Sequence, residues 1–135
     1  MTDNKATLRR VPEEIFTGNL DLVDELFTSD YVMHDPGLPE EVAGTEGFKG
    51  YVSAFRSAMP DIKITVEDQI AEGDVVATRW TGRGTHEGDM FGVPGTGRAV
   101  TIEGIIITRF EGGKIAEEWT SYDAAGALRQ VGALN

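Results

Sequence analysis

The chain of 135 residues has no cysteine, which excludes disulfide bonds, thiolate metal sites and cysteine nucleophiles. Histidine is scarce as well, since only His34 and His86 are present. They lack the i, i+2 or i, i+4 spacing of a histidine pair in a metal site. The glycine-rich segment 92–98 is followed by no Lys-Ser/Thr pair, so it is not a phosphate-binding loop. We therefore expect no metal ion and no cofactor.

Basic residues are also few compared with acidic ones. The chain has 12 basic and 23 acidic residues, for a formal net charge of -11. Such a surface repels phosphate groups, which argues against nucleic acid and anionic membranes as partners. No apolar run approaches the roughly 18 residues of a membrane span, and residues 1–10 lack a signal-peptide pattern. We expect a soluble cytoplasmic protein whose partner is a small molecule.

Helical patterns fill the first part of the chain, which has the length of a single domain, 1–135. Apolar residues recur at helical spacing over 5–17, where Pro12 predicts a kink or a late start. A second short helix is predicted over 20–27 and a strand over 31–35. A third helix is predicted from Thr45, as its N-cap, to about residue 59.

From residue 61 the apolar period changes to two, which is typical of strands with one buried face. Strands are predicted over 62–67, 75–85, 98–110 and 114–123, with a loop over 87–97 and a short final helix or irregular segment. Glycines inside the long strands favour a bent sheet. The fold class is therefore α+β: a cone-shaped, curved, antiparallel-rich sheet with the N-terminal helices packed over it.

The last predicted strand carries the most informative residues. Ile115, Trp119 and Asp123 fall at even spacing, so an unbroken strand would place all three on one face. A carboxyl group on an apolar face is costly unless it is paired, hydrogen-bonded or protonated, and proteins often bear that cost at functional sites. Asp123 is therefore a candidate site residue. The alternative is that Asp123 caps the helix that follows it.

Other candidates lie at strand ends and in strands. His34 and His86 each end a predicted strand beside an acidic residue, where a neutral imidazole could orient a substrate or move a proton. The alternative is a histidine that bonds to a loop carbonyl. Trp80 and Trp119 could wall a pocket for an apolar ligand or pack in the core. Arg109 could meet a substrate oxyanion or form a surface ion pair.

Four segments together resemble the SnoaL-like polyketide cyclases, or ester cyclases, of the nuclear transport factor 2-like superfamily. They are DYVMHDP at 30–36, the stretch 46–88, GVPGTGRAV at 92–100, and GKIAEEW at 113–119 followed by Tyr122-Asp123. The resemblance extends from about residue 5 to residue 133. It implies a cone-shaped α+β barrel that dimerises through the outer face of its sheet.

The resemblance also implies a reaction. Such cyclases close a ring of a polyketide ester by intramolecular aldol condensation, without metal or cofactor, and an aspartate late in the chain is the acid/base. Asp123 matches that position, and we assign His34 and His86 as its catalytic partners. The residues expected to contact a small apolar carbonyl substrate are Trp80, Trp119, Arg109, Tyr51 and Phe55.

Two alternatives share the fold. The first is a protein that binds a small ligand without catalysis. The second is a hydrolase of the limonene-epoxide-hydrolase type, which needs an Asp–Arg–Asp relay. Arg79 or Arg109 with Asp123 would supply part of that relay, but the neighbouring strands offer no convincing second aspartate.

Overall fold

A computed structural model describes residues 3–134 of the chain. The helices are α1 (Asn4–Arg10), a π-helical segment (Val11–Ile15), α2 (Leu22–Leu26), α3 (Gly44–Ala58) and α4 (Ala124–Gln130). The strands are β1 (Phe27–His34), β2 (Val42–Ala43), β3 (Lys63–Glu72), β4 (Val75–Thr85), β5 (Ala99–Glu111) and β6 (Lys114–Tyr122).

All six strands form one mixed sheet in the order β2-β1-β6-β5-β4-β3. The meander from β3 to β6 is antiparallel, as the sequence predicts, and β1 pairs with β6 in parallel. The α+β, antiparallel-rich fold class is confirmed. The sheet stays open, so helices and not further strands cover its inner face.

The helices bury their apolar side chains against that inner face. One core cluster joins helix residues such as Ile15, Val23 and Val52 to strand residues such as Met33 and Ile115. A second cluster packs α4 against the other end of the sheet and is formed by Ala58, Met59, Ile62, Met90, Val100, Ile102, Ala127 and Val131. The two clusters enclose the space in which the candidate site lies.

Several predicted boundaries are wrong for local reasons. Helix α3 begins at Gly44, whose φ of 73° is left-handed and favours glycine, so Thr45 lies inside the first turn and is not the N-cap. Phe27 begins β1 and does not end a helix, and the short strand β2 was not predicted. Pro12 falls at the start of the π-helical segment, where the α-helix gives way.

A β-bulge in β6 decides which side chains face inward. Arg109 pairs with Glu117 and Phe110 pairs with Ile115, so Ala116 has no residue opposite it on β5. Because of the extra residue, the alternation of inward and outward side chains shifts by one position after Ala116. Ile115 is buried, but Trp119 is 41% exposed on the outer face. The prediction that Ile115 and Trp119 share a face is therefore wrong.

Two glycines provide a test of the packing between β4, β5 and β6. A Cβ atom on Gly104 would lie 2.6 Å from Trp80 and 2.8 Å from Tyr122, whereas one on Gly50 in α3 would meet nothing within 4 Å. We expect Gly104→Ala to lower the free energy of unfolding by about 1–3 kcal/mol because the site is overpacked. Gly50→Ala should raise it by about 0.5–1 kcal/mol. Urea denaturation measures both, and equal effects would contradict this account of the sheet.

Candidate active site

A cavity of about 90 Å³ lies between the helices and the inner face of the sheet. Most of its wall is apolar: Leu8, Val11, Pro12, Phe16, Met33, Phe48, Phe55, Ile62, Ile64, Val66, Trp80, Gly82, Ile102 and Ile106. Four further lining residues carry polar groups: Tyr51, Thr78, Glu118 and Thr120. Three predicted substrate-contacting residues, Tyr51, Phe55 and Trp80, thus meet at one cavity.

Glu118 is the carboxyl group in the cavity wall. It is only 3% exposed, and each of its oxygens accepts one hydrogen bond. The Tyr31 hydroxyl donates to Oε1 at 2.6 Å, and the Thr108 hydroxyl donates to Oε2 at 2.5 Å. Burial raises the pKa of Glu118, and the two hydrogen bonds offset part of that rise. Glu118 is therefore suited to hold a proton and to release it inside the cavity.

Sequence reasoning missed Glu118 because the bulge was not foreseen. The pair Glu117-Glu118 sits in an apolar strand, so one of the two carboxyl groups must face inward. The sequence therefore indicated a buried carboxyl group in this strand. The even spacing from Ile115, however, selected Glu117 as the inward-facing residue and not Glu118. Glu118 and Thr120 line the cavity, whereas Glu117 and Trp119 lie on the opposite face.

Asp123 lies at the N-cap of α4. Its Oδ1 accepts a hydrogen bond from the Gly126 backbone N–H at 2.8 Å, and the side chain is exposed. It is not among the residues that line the cavity. The contact is the capping interaction given above as the alternative. The acid/base role of Asp123 stays a prediction that its position does not favour.

His34, Trp119 and Arg109 gather on the outer face of the sheet. The His34 ring stacks on Trp119 at 5.5 Å between ring centroids. His34 Nε2 lies 2.7 Å from Glu117 Oε2 and its Nδ1 lies 3.2 Å from Glu41. Arg109 reaches the other oxygen of Glu117 at 3.4 Å, and the hydrogen bond from His34 is the main cause of the lowered pKa of Glu117. These three predicted residues are together, but none of them lines the cavity; His34 and Trp119 line a separate depression on the surface.

His86 is fully buried in the loop that follows β4. Its Nδ1 lies 3.0 Å from the Thr96 hydroxyl and its Nε2 lies 3.1 Å from the Val93 carbonyl oxygen. Both ring nitrogens therefore tie the loop 87–97 together. His86 does not line the cavity. Its contacts match the alternative of a histidine that bonds to a loop carbonyl.

Residues 3–134 offer neither a metal site nor a membrane-spanning helix. Within that range, no group of three or more His, Asp or Glu side chains is arranged to hold a metal ion. None of the helices in the same range has the length and hydrophobicity needed to cross a membrane.

Comparison with known proteins gives consistent matches over nearly the whole chain. The sequence profile of the SnoaL-like polyketide cyclases matches residues 6–131. Aklanonic acid methyl ester cyclase DnrD of Streptomyces peucetius is 32% identical over 129 residues, covering 93% of this chain and 88% of its own. The crystal structure of wild-type IdmH from Streptomyces antibioticus is 34% identical with a TM-score of 0.83, covering 96% and 99% of the two chains.

A more distant structure shows the fold alone. A SnoaL-like protein from Jannaschia sp. CCS1 has a TM-score of 0.89 at 21% identity, and the match covers 98% of this chain and 93% of that one. The backbone arrangement is therefore retained where most side chains differ.

The contacts of Asp123 predict a structural effect of its replacement. Asp123→Ala should lower the free energy of unfolding by about 1 kcal/mol through loss of the cap, whereas Asp123→Asn should keep the cap and the stability. Thr45→Ala serves as a control without a cap and should change stability by less than about 0.5 kcal/mol. Chemical denaturation measures all three. A large loss in Asp123→Asn would show that the carboxylate charge, and not the cap, is what matters.

The raised pKa of Glu118 predicts a pH-dependent stability. Because the folded protein binds this proton more tightly than the unfolded chain, its contribution to stability is full below the unfolded pKa of about 4.3 and is lost as pH rises towards the folded pKa. Glu118→Gln removes that dependence. Its stability relative to the parent chain should therefore increase from pH 4 to pH 7, as followed by urea denaturation. A constant difference across this range would contradict the raised pKa.

Proposed function

Because the chain belongs to the SnoaL-like polyketide cyclase family, we propose that it closes a ring in a small apolar carbonyl compound by aldol-type or related enolate chemistry. The observation that carries this proposal is Glu118, a buried carboxyl group in the wall of an otherwise apolar cavity. The name of the relative DnrD describes a cyclase of a methyl ester, which is a substrate of the same chemical class.

The proposed reaction needs one proton removed and one proton added. A C–H bond next to an ester or ketone loses its proton, and the resulting enolate carbon attacks a second carbonyl carbon in the same molecule. The new C–C bond leaves an alkoxide, which takes up a proton. Glu118, whose pKa burial raises, can supply or accept these protons.

The aromatic wall supports ring closure by holding the substrate in a folded conformer. Tyr51, Phe55 and Trp80 line the cavity together, with the Tyr51 and Phe55 rings 5.1 Å apart. When the two reacting carbons are held close together in one conformer, the entropy loss of bringing them together occurs on binding. The barrier of the chemical step is then lower. The apolar surroundings also exclude water, which strengthens the interactions of Glu118 with a developing charge.

The cavity volume supports a small substrate. Pockets for drug-sized ligands measure roughly 300–1,000 Å³, whereas this cavity measures about 90 Å³. A ligand of one or two rings matches that space better than a fused four-ring compound. We therefore propose that the substrate is smaller than a tetracyclic polyketide.

The outer face of the sheet supports the proposed homodimer. Ile105 and Ile107 of β5 are 52% and 41% exposed, and they lie on the same side of the sheet as Trp119. Apolar side chains grouped in this way mark surfaces that contact other proteins. The polar group of His34, Arg109 and Glu117 adjoins them and would supply charged contacts at the rim.

The two alternatives make different demands on the cavity. The hydrolase needs an arginine between two aspartates, and among the described residues no arginine or aspartate lines the cavity. A non-catalytic binding protein needs only the apolar wall. Turnover therefore separates it from the cyclase.

The test is the turnover of small β-keto esters that carry a second ketone within reach of ring closure, followed by mass spectrometry and chromatography. Glu118→Gln keeps the size of the side chain but removes the titratable proton, and should lower kcat by about 10²–10⁴-fold. Asp123→Asn is the matched control and should retain activity within about twofold. Full activity in Glu118→Gln would overturn the assignment. Binding without turnover by the parent chain would favour the non-catalytic protein.

A further inference from the structure

A second buried carboxyl group, that of Asp35, lines a surface depression that shares Thr120 with the cavity, and it has no part in the chemistry assigned to Glu118. Asp35 directly follows β1 and continues its inward-facing row after Tyr31 and Met33, both of which are buried. His34, the last residue of β1, pairs with Trp119 in parallel register. Asp35, the next residue in the chain, therefore lies beside Thr120, which lines the cavity. Asp35 itself is only 8% exposed.

The hydrogen bonding of Asp35 is incomplete. Its Oδ1 accepts the Gly37 backbone N–H at 2.8 Å, but its Oδ2 is buried and has no hydrogen-bond partner. A buried polar atom without a partner costs about 1–3 kcal/mol. Proteins keep such atoms where a group that arrives later, or a rotating hydroxyl, completes the bond.

Two phenol groups come from elements next to this carboxylate, and Tyr122 follows Thr120 by two residues on the same face of β6. Tyr51 lines the cavity from α3, and Tyr122 ends β6. Both rings contact Phe55, at 5.1 and 5.9 Å between centroids. Burial first, and then the charge of Asp35, raises the pKa of Tyr122 to about 12. Burial, together with Tyr122 and Asp35, also raises the pKa of Tyr51, so both hydroxyls keep their protons.

A carboxylate can only accept hydrogen bonds, whereas a phenol can both donate and accept. A row of hydroxyls that ends at a carboxylate therefore turns its protons towards that carboxylate. The hydroxyl at the far end then presents its oxygen lone pairs to whatever lies in front of it. Here the far end is Tyr51, and the cavity lies in front of it.

We propose that Asp35, Tyr122 and Tyr51 form a relay whose Tyr51 oxygen accepts a hydrogen bond from an enol or phenol hydroxyl of the ligand. This inference rests on the proposed function in taking the cavity as the substrate site, and it adds a substrate class: a carbonyl compound in its enol form, or a phenol. Tyr51 contacts the ligand, whereas Tyr122 and Asp35 are positioning residues. The relay selects the enol tautomer, which is the reactive partner in an aldol-type closure.

The test compares the binding of phenol and toluene, which have the same shape and differ by a hydroxyl for a methyl group. The measured quantity is the ratio of the toluene Kd to the phenol Kd, obtained by NMR titration at pH 7. Tyr51→Phe and Tyr122→Phe should each lower this ratio about tenfold, because a hydrogen bond linked to a charged group is lost. Asp35→Asn, whose amide donates as well as accepts, should lower it too.

Asp68→Asn is the matched control, since Asp68 is an exposed carboxylate that pairs with Arg79, and it should leave the ratio unchanged. Thermal unfolding confirms that each variant is folded. The relay would be overturned by a ratio that stays within threefold in both phenylalanine variants, or by a Tyr122→Phe ratio equal to that of the parent chain. Failure of phenol to bind would also overturn it.

The Kd ratio measures binding, whereas the role of Glu118 is tested by turnover. Each proposal can therefore be disproved without disproving the other. A Glu118→Gln variant with full activity would remove the catalytic assignment and leave the phenol preference intact. An unchanged ratio in the tyrosine variants would remove the relay and leave ring closure by Glu118 standing.

Discussion

The burial of one carboxyl group constrains much of the rest of this structure. Glu118 lies in an apolar cavity wall, and its desolvation is tolerable only because Tyr31 and Thr108 each supply a hydroxyl to one of its oxygens. Those donors come from β1 and β5, the two strands on either side of β6. The parallel pairing of β1 with β6 is thus a chemical requirement of the site as well as a feature of the topology.

The cavity carries polar groups in two places, and this division gives it a direction. Glu118, bound by Tyr31 and Thr108, forms one polar place, and the hydroxyl of Tyr51 forms the other. The rest of the wall consists of aliphatic and aromatic side chains, together with Thr78 and Thr120. A ligand with polar groups at two positions would thus be oriented by hydrogen bonds and held by contact area.

How far the sequence predicts this molecule depends on whether the signal is local. The period-two pattern over residues 62–67 and 75–85 correctly indicated strands, and the apolar pattern after Thr45 correctly indicated a third helix. The facing of Trp80 and Trp119 could not be predicted in the same way, because it depends on pairing with distant strands. Asp35 was missed for a similar reason, since its place beside Thr120 follows from a parallel pairing between residues far apart in the chain.

The extra residue at Ala116 has a consequence for comparing this chain with its relatives. Which residues of the run Glu117-Glu118-Trp119 face the cavity depends on whether the strand contains the bulge. In a relative without the extra residue, the same residues would face the opposite way. The indole would then point into the cavity and the second carboxyl group would point outward. Transfer of residue roles across the family therefore requires the strand register, because a shift of one position at Ala116 moves a side chain between the cavity wall and the outer surface.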